Sequence, residues 1–441
     1  MPLSDALSHA KDHRKSIATI VTAYHAQSHA QNIVDKFLEG YLMHWVHVPP
    51  RVRVASLYTD QVPADDISRD MAAKHNLPIY PTIHDALTLG GAHLAVDGVV
   101  LLGEHGDYPV NEKGQHMYPR RRFFEETVKV FRESGRVVPV FNDKHLSYNW
   151  DDAKWIYDTA KALGIPMMAG SSMPVSFRSP PLNVPLGTPI EEMVVVAEGP
   201  IEAYGYHALE IAQCLAERRN GFETGVRSVQ YLTGATFWDA WESKGHWSPD
   251  LYEAALAVIG HAEGTAREYF DHLPTGDEAV RQSELAQPQP FLRHLPGPRR
   301  PPGVTTHGPI PTSNGPSPEW AAFLIEYRDG LRLTVLMLGG YVLRRAVALR
   351  IAGQTQPWAS WFLQQRRRSQ LWHFDNQVDL IERMVENGQS PIPLERTLLT
   401  TGMIDAVMTS RFEQGKLLET PHLAVTYQPN EVSVQLSDFQ Y

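Results

Sequence analysis

The chain has 441 residues, 43% of them hydrophobic and 20% charged, which excludes a disordered chain and is long enough for two domains. Forty Lys and Arg against fifty Asp and Glu leave a net charge of −10, which argues against a general nucleic-acid binder, since phosphate attraction is the main affinity term there. The single cysteine, Cys214, excludes a disulfide-stapled fold, no apolar run reaches the roughly 18 residues of a membrane helix, and the opening MPLSDALSHAKDHRKS lacks the apolar core of a signal peptide, so a cytoplasmic protein with no membrane partner is expected.

In the first half, short apolar runs alternate with helical patterns. Ser16–Ala23 predicts a buried strand, Gln27–Glu39 a helix, Arg53–Tyr58 a strand, Asp65–His75 a helix and Leu77–Tyr80 a short strand. Val96–Gly103 is an apolar, β-branched strand, followed by a helix over Arg121–Ser134, a strand over Val137–Phe141, a helix over Asp151–Leu163 and a strand over Ile165–Ala169. This alternation predicts right-handed βαβ units and a parallel sheet. After about Ser171 the pattern changes. Met193–Glu198 and Arg227–Leu232 predict strands of a second sheet, and Glu202–Arg218 and Pro249–Tyr269 predict helices. Gly276–Pro318 is rich in proline and glycine and predicts a long surface loop. Phe323–Tyr327 and Leu331–Leu338, joined by Arg328-Asp329-Gly330, predict a hairpin that Val342–Ile351 extends. Asp375–Glu386 and Leu394–Phe412 close the chain as helices. The fold class expected is α/β: a Rossmann-like parallel-sheet domain over residues 1–171 and an α/β domain with an open, mainly antiparallel sheet over 172–441, of which 375–441 form the closing helices and tail.

Ligands of a parallel α/β sheet bind outside the carboxyl ends of its strands. The segments there are Tyr24-His25-Ala26-Gln27-Ser28-His29, then Asp60, then Glu104-His105-Gly106-Asp107-Tyr108, then Asn142-Asp143-Lys144-His145. Two of these follow very apolar strands, where a turn needs no such charge, and buried charge is costly unless paired. Lys144 beside Asp143 is the sharpest candidate, able to hold a substrate hydroxyl or transfer a proton; the plainer role is a structural salt bridge. Asp60 is placed to bond a ribose hydroxyl, or to cap a helix. His25 and His29 are four residues apart and, with Glu104 or His105, could complete a divalent-metal site to which Asp107 and His145 are further candidates. His207 and Glu210, three apart on a predicted helix, form a possible acid/base unit. The runs Arg120-Arg121-Arg122 and Arg366-Arg367-Arg368 are expected on solvated faces, and the Trp-rich stretches 238–247 and 358–372 in a core or interface.

On these residues the chain resembles the Gfo/Idh/MocA family of glucose–fructose oxidoreductases and inositol dehydrogenases. Asp143-Lys144-His145-Leu146 resembles the family's Glu-Lys-Pro-Leu segment, His207-Ala208-Leu209-Glu210 its His-x-x-Asp segment, and Asp60 its ribose-binding acid. The resemblance implies a homo-oligomeric enzyme that passes a hydride between NAD or NADP and a sugar, polyol or related hydroxy compound. Lys144, His207, Glu210, Asp143 and His105 would be the catalytic set, with Lys144 and His207 on the hydroxyl proton and Glu210 orienting His207. Tyr24, His25, Asp60, Glu104 and Asp107 would line the cofactor site, where Asp60 favours NAD over NADP. Three features depart: His145 stands where the family has a proline, Glu104-His105-Gly106-Asp107 stands where it has a small polar turn, and Thr22–His29 holds no glycine where it carries G-x-G-x-x-G/A, so Tyr24 and His25 are expected to crowd a dinucleotide. The last departure supports an alternative without a dinucleotide, a lyase or hydrolase whose divalent metal sits on His29, Glu104 and His105.

Overall fold

Five apolar runs pair in parallel because each is bounded by a helix that crosses back over the sheet. They are β1 (Ser16–Val21), β2 (Arg53–Thr59), β3 (Gly98–Leu102), β4 (Val140–Asp143) and β5 (Met167–Gly170), in spatial order β2-β1-β3-β4-β5. Ile79, inside the predicted 77–80 strand, contributes only a single parallel bridge to Leu57 on the outer side of β2. With that stub the order is the doubly wound one, and the chain reverses direction between β1 and β3. The computed structural model describes residues 13–43, 46–259, 311–312, 315–316, 320–339, 341–342, 344–364, 366–367, 370–371 and 373–430; the predicted loop over 276–318 lies almost wholly outside them, as does the predicted helix beyond 259.

Local chemistry fixes the helix starts. In α1 (His29–Glu39) the N-cap Ser28 accepts from the Gln31 N–H, and in α5 (Trp150–Leu163) Asn149 accepts from Asp152, with Asp151 and Asp152 in the first turn. Helices α2 (Ser68–His75), α3 (Ile83–Thr88) and α4 (Arg120–Ser134) complete the set. One face of the sheet packs Ile20 and Leu101 against Phe123, Phe124, Ile156 and Ala160.

The second sheet holds eight strands. Its members are β6 (Arg178–Ser179), β7 (Ile190–Ala197), β8 (Val226–Thr233), β9 (Ala321–Tyr327), β10 (Arg332–Met337), β11 (Arg345–Ile351), β12 (Trp358–Phe362) and β13 (Leu418–Glu419), ordered β13-β8-β9-β10-β7-β11-β12-β6. Every neighbour pair is antiparallel except β10 with β7. Helices α6 (Ile201–Ala216) and α10 (Leu394–Phe412) bury one face. Helices α7 (Gly234–Ser243) and α8 (Pro249–Ile259) cover the other, where Trp238 of α7 and Trp247 of the connection between them pack on Val194, Leu336 and Ala348. The protein is therefore α/β, a Rossmann-like sheet followed by a mainly antiparallel one. Among the described residues no helix is long and apolar enough to cross a membrane.

The helix expected to close the second unit, α9 (His373–Asn387), instead crosses back to the first sheet. Phe374, Val378, Ile381 and Val385 pack on Ile17, Val100 and Phe141. Polar ties fix it there: buried Lys36 pairs with Asp375 at 2.6 Å, and Glu382 accepts from the Tyr41 hydroxyl and the Arg51 N–H, both at 2.7 Å.

Helix α10 touches both units. Thr397 donates to the Ala169 carbonyl of β5 at 2.8 Å, and the Leu146 N–H donates to Thr401 at 3.1 Å. Gly402 makes the close approach possible, since a Cβ there would lie 2.9 Å from the Trp150 ring and closer still to Leu423. Gly402→Val is expected to destabilise the protein by about 1–3 kcal/mol through overpacking; an unchanged midpoint in denaturant unfolding would refute that account.

Candidate active site at the sheet switch point

Lys144 follows β4 in the left-handed region, φ 66°. Its backbone is clamped on both sides by Gly170, N–H to carbonyl at 3.2 and 3.1 Å. A lysine in that conformation bears a strain of roughly 1–2 kcal/mol, held here by a two-hydrogen-bond bridge. The side chain is buried and its Nζ meets His207 Nε2 at 2.6 Å. His207 comes from the start of α6 in the second unit, so the contact joins the two halves of the chain. Glu104, at the end of β3, lies 3.8 Å from the Lys144 ammonium, and its other oxygen accepts from Arg120 at 2.5 Å.

Burial dominates the electrostatics. It pushes Lys144 below the ordinary lysine range, helped by the Arg120 and Arg345 charges and opposed by Glu104 and Asp143. Burial, then Lys144 and Arg345, holds His207 well below the usual imidazole value. Burial works against ionised Glu104, yet the Lys144 and Arg120 charges outweigh it and keep the carboxyl well below the carboxylate range. The centre therefore holds a fixed anion beside two basic nitrogens biased toward their neutral forms. With Lys144 donating, His207 Nε2 is the acceptor and Nδ1 carries the proton; that Nδ1 has no hydrogen-bond partner.

Other predicted residues fall elsewhere. Asp143 is buried and accepts from His29 Nδ1 at 2.6 Å, so it orients a histidine and leaves Lys144 to Glu104 and His207. Glu210 does not orient His207; it accepts from the Ser171 N–H at 2.5 Å beyond β5, and burial raises its pKa. His145 replaces a proline by packing inward, where its Nδ1 meets the Ser147 carbonyl at 2.7 Å and Arg120 at 3.3 Å, and burial holds it neutral. Arg120, expected on a solvated face, is 1% exposed and is the Glu104 partner.

Among the described residues no group of His, Cys, Asp and Glu is arranged to hold a metal ion. The expected trio is committed otherwise: His29 to Asp143, Glu104 to Arg120 and Lys144, and His105 as acceptor from the His29 N–H at 3.4 Å. The metal site read from proximity in the sequence is thus corrected.

The groove over β1 is equally committed. Tyr24 does not crowd it: the side chain is fully buried, with its hydroxyl on Asp35 of α1. His25 does stay at the groove, its ring 5.3 Å from that of His105, which in turn stands 5.2 Å from His29 at the start of α1. Gln61 and Asp107 bridge β2 to the loop after β3 by two reciprocal hydrogen bonds, each 2.8 Å, through the Asp107 backbone, while the Asp107 side chain is exposed. Asp60 accepts from Tyr58 and Tyr108, both at 2.6 Å, and from Arg122 at 2.5 Å. Burial opposes its charge, but these three donors hold its pKa down. A dinucleotide in its usual pose lays its pyrophosphate over the β1–α1 turn and a ribose on the acid ending β2. His105 stands at the first place and Arg122 with two tyrosines at the second, so these residues as they stand do not fit the group.

Sequence reasoning missed Arg345 and His373. Arg345 opens β11, 1% exposed, with one guanidinium N–H on Glu198 at 2.8 Å and its plane 4.6 Å over the Tyr204 ring. A charge at the head of an apolar strand was the available signal.

His105 gives a pH test. Burial, with the His29 charge next, lowers it from 6.5 to about 4. The unfolded chain binds this proton at higher pH than the folded one, so the stability it contributes is complete above pH 6.5 and is lost as pH falls toward 4. In His105→Asn that part of the slope disappears, so wild type and variant converge on acidification. Parallel stability curves from denaturant unfolding across this window would contradict the assignment.

No protein-family model matches the sequence, and no curated protein matches it. Among solved structures, GenD2 from gentamicin A biosynthesis in complex with NAD has 12% identity and a TM-score of 0.51, with 92% of this chain and 96% of that one covered. The apo scyllo-inositol dehydrogenase from Lactobacillus casei has 8% identity and a TM-score of 0.51, with 92% and 98% covered. Over nearly its whole length, the chain has the fold of the Gfo/Idh/MocA-type dehydrogenases.

Proposed function

We propose that the protein is an oxidoreductase acting on a small hydroxylated compound of the sugar or polyol kind, with Lys144 and His207 carrying the proton of the reacting hydroxyl. The observation behind this reading is their buried 2.6 Å contact at the strand ends. A basic nitrogen biased toward neutrality can take a proton from a hydroxyl and return it in the reverse direction. As Lys144 gains that proton, ionised Glu104 at 3.8 Å supplies the counter-charge, and Arg120 keeps Glu104 in place. The fold shared with an NAD-complexed enzyme and an inositol dehydrogenase supports the redox class and a nicotinamide cofactor. Seating it across β1 requires the His25 and His105 rings and the Gln61–Asp107 bridge to move aside.

The filled groove favours a second reading, in which the same pair moves a proton beside a carbonyl in an elimination or isomerisation that needs no nicotinamide. Calorimetric titration with NADH separates the two. Micromolar binding supports the oxidoreductase; absence of heat from protein free of copurified nucleotide removes it in favour of the second.

Both readings predict that Lys144→Gln and His207→Asn each lower turnover by about 10²–10⁴-fold at temperatures where circular dichroism shows the variant folded. The assay is the reaction identified in a sugar and polyol screen, and full turnover in either variant would sink both readings.

A further inference from the structure

Around the Lys144–His207 contact lies a set of buried groups with unused hydrogen-bonding capacity. Arg345 is 1% exposed, yet only one of its donors has a strong acceptor, Glu198 Oε1 at 2.8 Å. A second faces the Met173 sulfur at 3.8 Å, and the Nε–H has no acceptor. His207 Nδ1 and His373 Nδ1 are likewise buried without partners. These groups belong to one place. The Arg345 guanidinium lies 4.6 Å over the Tyr204 ring, that ring stands edge-on to His207 at 5.9 Å, and His207 touches Lys144. Buried polar groups in native proteins are ordinarily satisfied, so several orphans around one crevice mark the outline of an absent ligand.

The charges say what kind. Arg120 is matched by Glu104, and Arg345 by one oxygen of Glu198, whose other oxygen has no hydrogen-bond partner. Lys144 shares Glu104 with Arg120, so the charge it gains with the reacting proton is only partly answered inside the protein. Arg345 also acts on His207 and His373 strongly enough to help keep both neutral, which places its positive field over the same space. A neutral polyol would bring hydroxyls but no compensating charge. A carboxylate is planar and acceptor-only, and it matches the fork of a guanidinium whose Nε–H is free. A phosphate dianion fits less well, because Glu198 stands on the same guanidinium and repels a second negative charge.

We propose that the substrate of this crevice carries a carboxylate, received by Arg345, while its reacting hydroxyl meets Lys144 and His207. This rests on the proton-transfer role given to that pair and holds for either reaction class. The ligand is thus a sugar acid or a related hydroxy acid.

The test is binding to the full-length protein of gluconate, galacturonate and tartrate, against glucose and myo-inositol as neutral compounds and glucose 6-phosphate as the phosphate source, by calorimetry and thermal shift at one salt concentration. At least one acid is expected to bind ten-fold or more tighter than the neutral compounds, and Arg345→Ala to remove that preference. Should Arg345→Ala fail to fold, Arg345→Lys keeps the charge beside Glu198 but lacks the planar fork, and a loss of at least several-fold is expected for the acid alone. Equal binding of acids and neutral polyols, no binding by any acid, or preference for the phosphate ester would each overturn the proposal. Lys144→Gln distinguishes the two claims. If it retains acid binding and loses turnover, both stand; if it retains turnover while Arg345→Ala loses binding, the proton-transfer reading falls and the carboxylate assignment survives.

Discussion

The site depends on one constraint: a lysine cannot be buried between two sheets without an answering charge and a fixed geometry. Glu104 provides the charge, but an unsupported carboxylate at that depth would itself take up a proton. Arg120 prevents this, and Arg120 is held in turn by His145 and by its place at the start of α4. Removing one partner from such a chain leaves an uncompensated charge, which is why its members must be buried together. The backbone follows the same logic. Lys144 at φ 66° and His105 at φ 72° are non-glycine residues in the left-handed region, and both aim their side chains at the crevice. Strain of this kind persists where surrounding contacts over-determine it, as the Lys144–Gly170 bridge does.

The turn after β1 shows how a Rossmann-like sheet is built without its glycines. Glycine permits close backbone approach to a phosphate. Here the chain instead turns Tyr24 under the sheet to Asp35, whose pKa burial raises to about 6 against the pull of the tyrosine hydroxyl. Ser28 caps α1 and also accepts from the His25 N–H at 3.3 Å. The first free amide of the helix, that of His29, meets the His105 ring. The amides of Gln27, Ser28, His29 and Gln31 in this turn all have internal partners, so a nucleotide entering this groove competes with the protein's own groups.

The parallel sheet was legible because its strands are short, apolar and separated by helix-length periods; Lys144 stood out as charge placed where a turn needs none, and His207 through its His-x-x-acid segment. What could not be read was pairing across the chain. Asp60 carried the right position for a ribose contact, yet its partners Tyr108 and Arg122 lie 48 and 62 residues away. Arg120 hid in a run of three arginines whose other two members are exposed enough to look alike. Helix α9 followed the second sheet in sequence, and only the apolar stripe on it, matched to the first sheet's far face, says where it goes.

These long-range pairings also decide the chemistry. The fold supplies a crevice at the point where strand order reverses, and that much is common to proteins of only 8% and 12% identity. The electrostatic character is particular to this chain. Glu104 and Arg120 fix a negative pole at the end of β3, and Arg345 with Glu198 fixes a positive donor at the head of β11 in the other sheet. Lys144 lies 3.8 Å from the first, and His207 stands edge-on to the Tyr204 ring that Arg345 covers. In the reaction proposed for this crevice, the proton leaving a hydroxyl passes to Lys144 beside Glu104, while the substrate's carboxylate rests on Arg345. Such a gradient, set before substrate arrives, is the form in which a folded protein stabilises charge that develops only during a reaction.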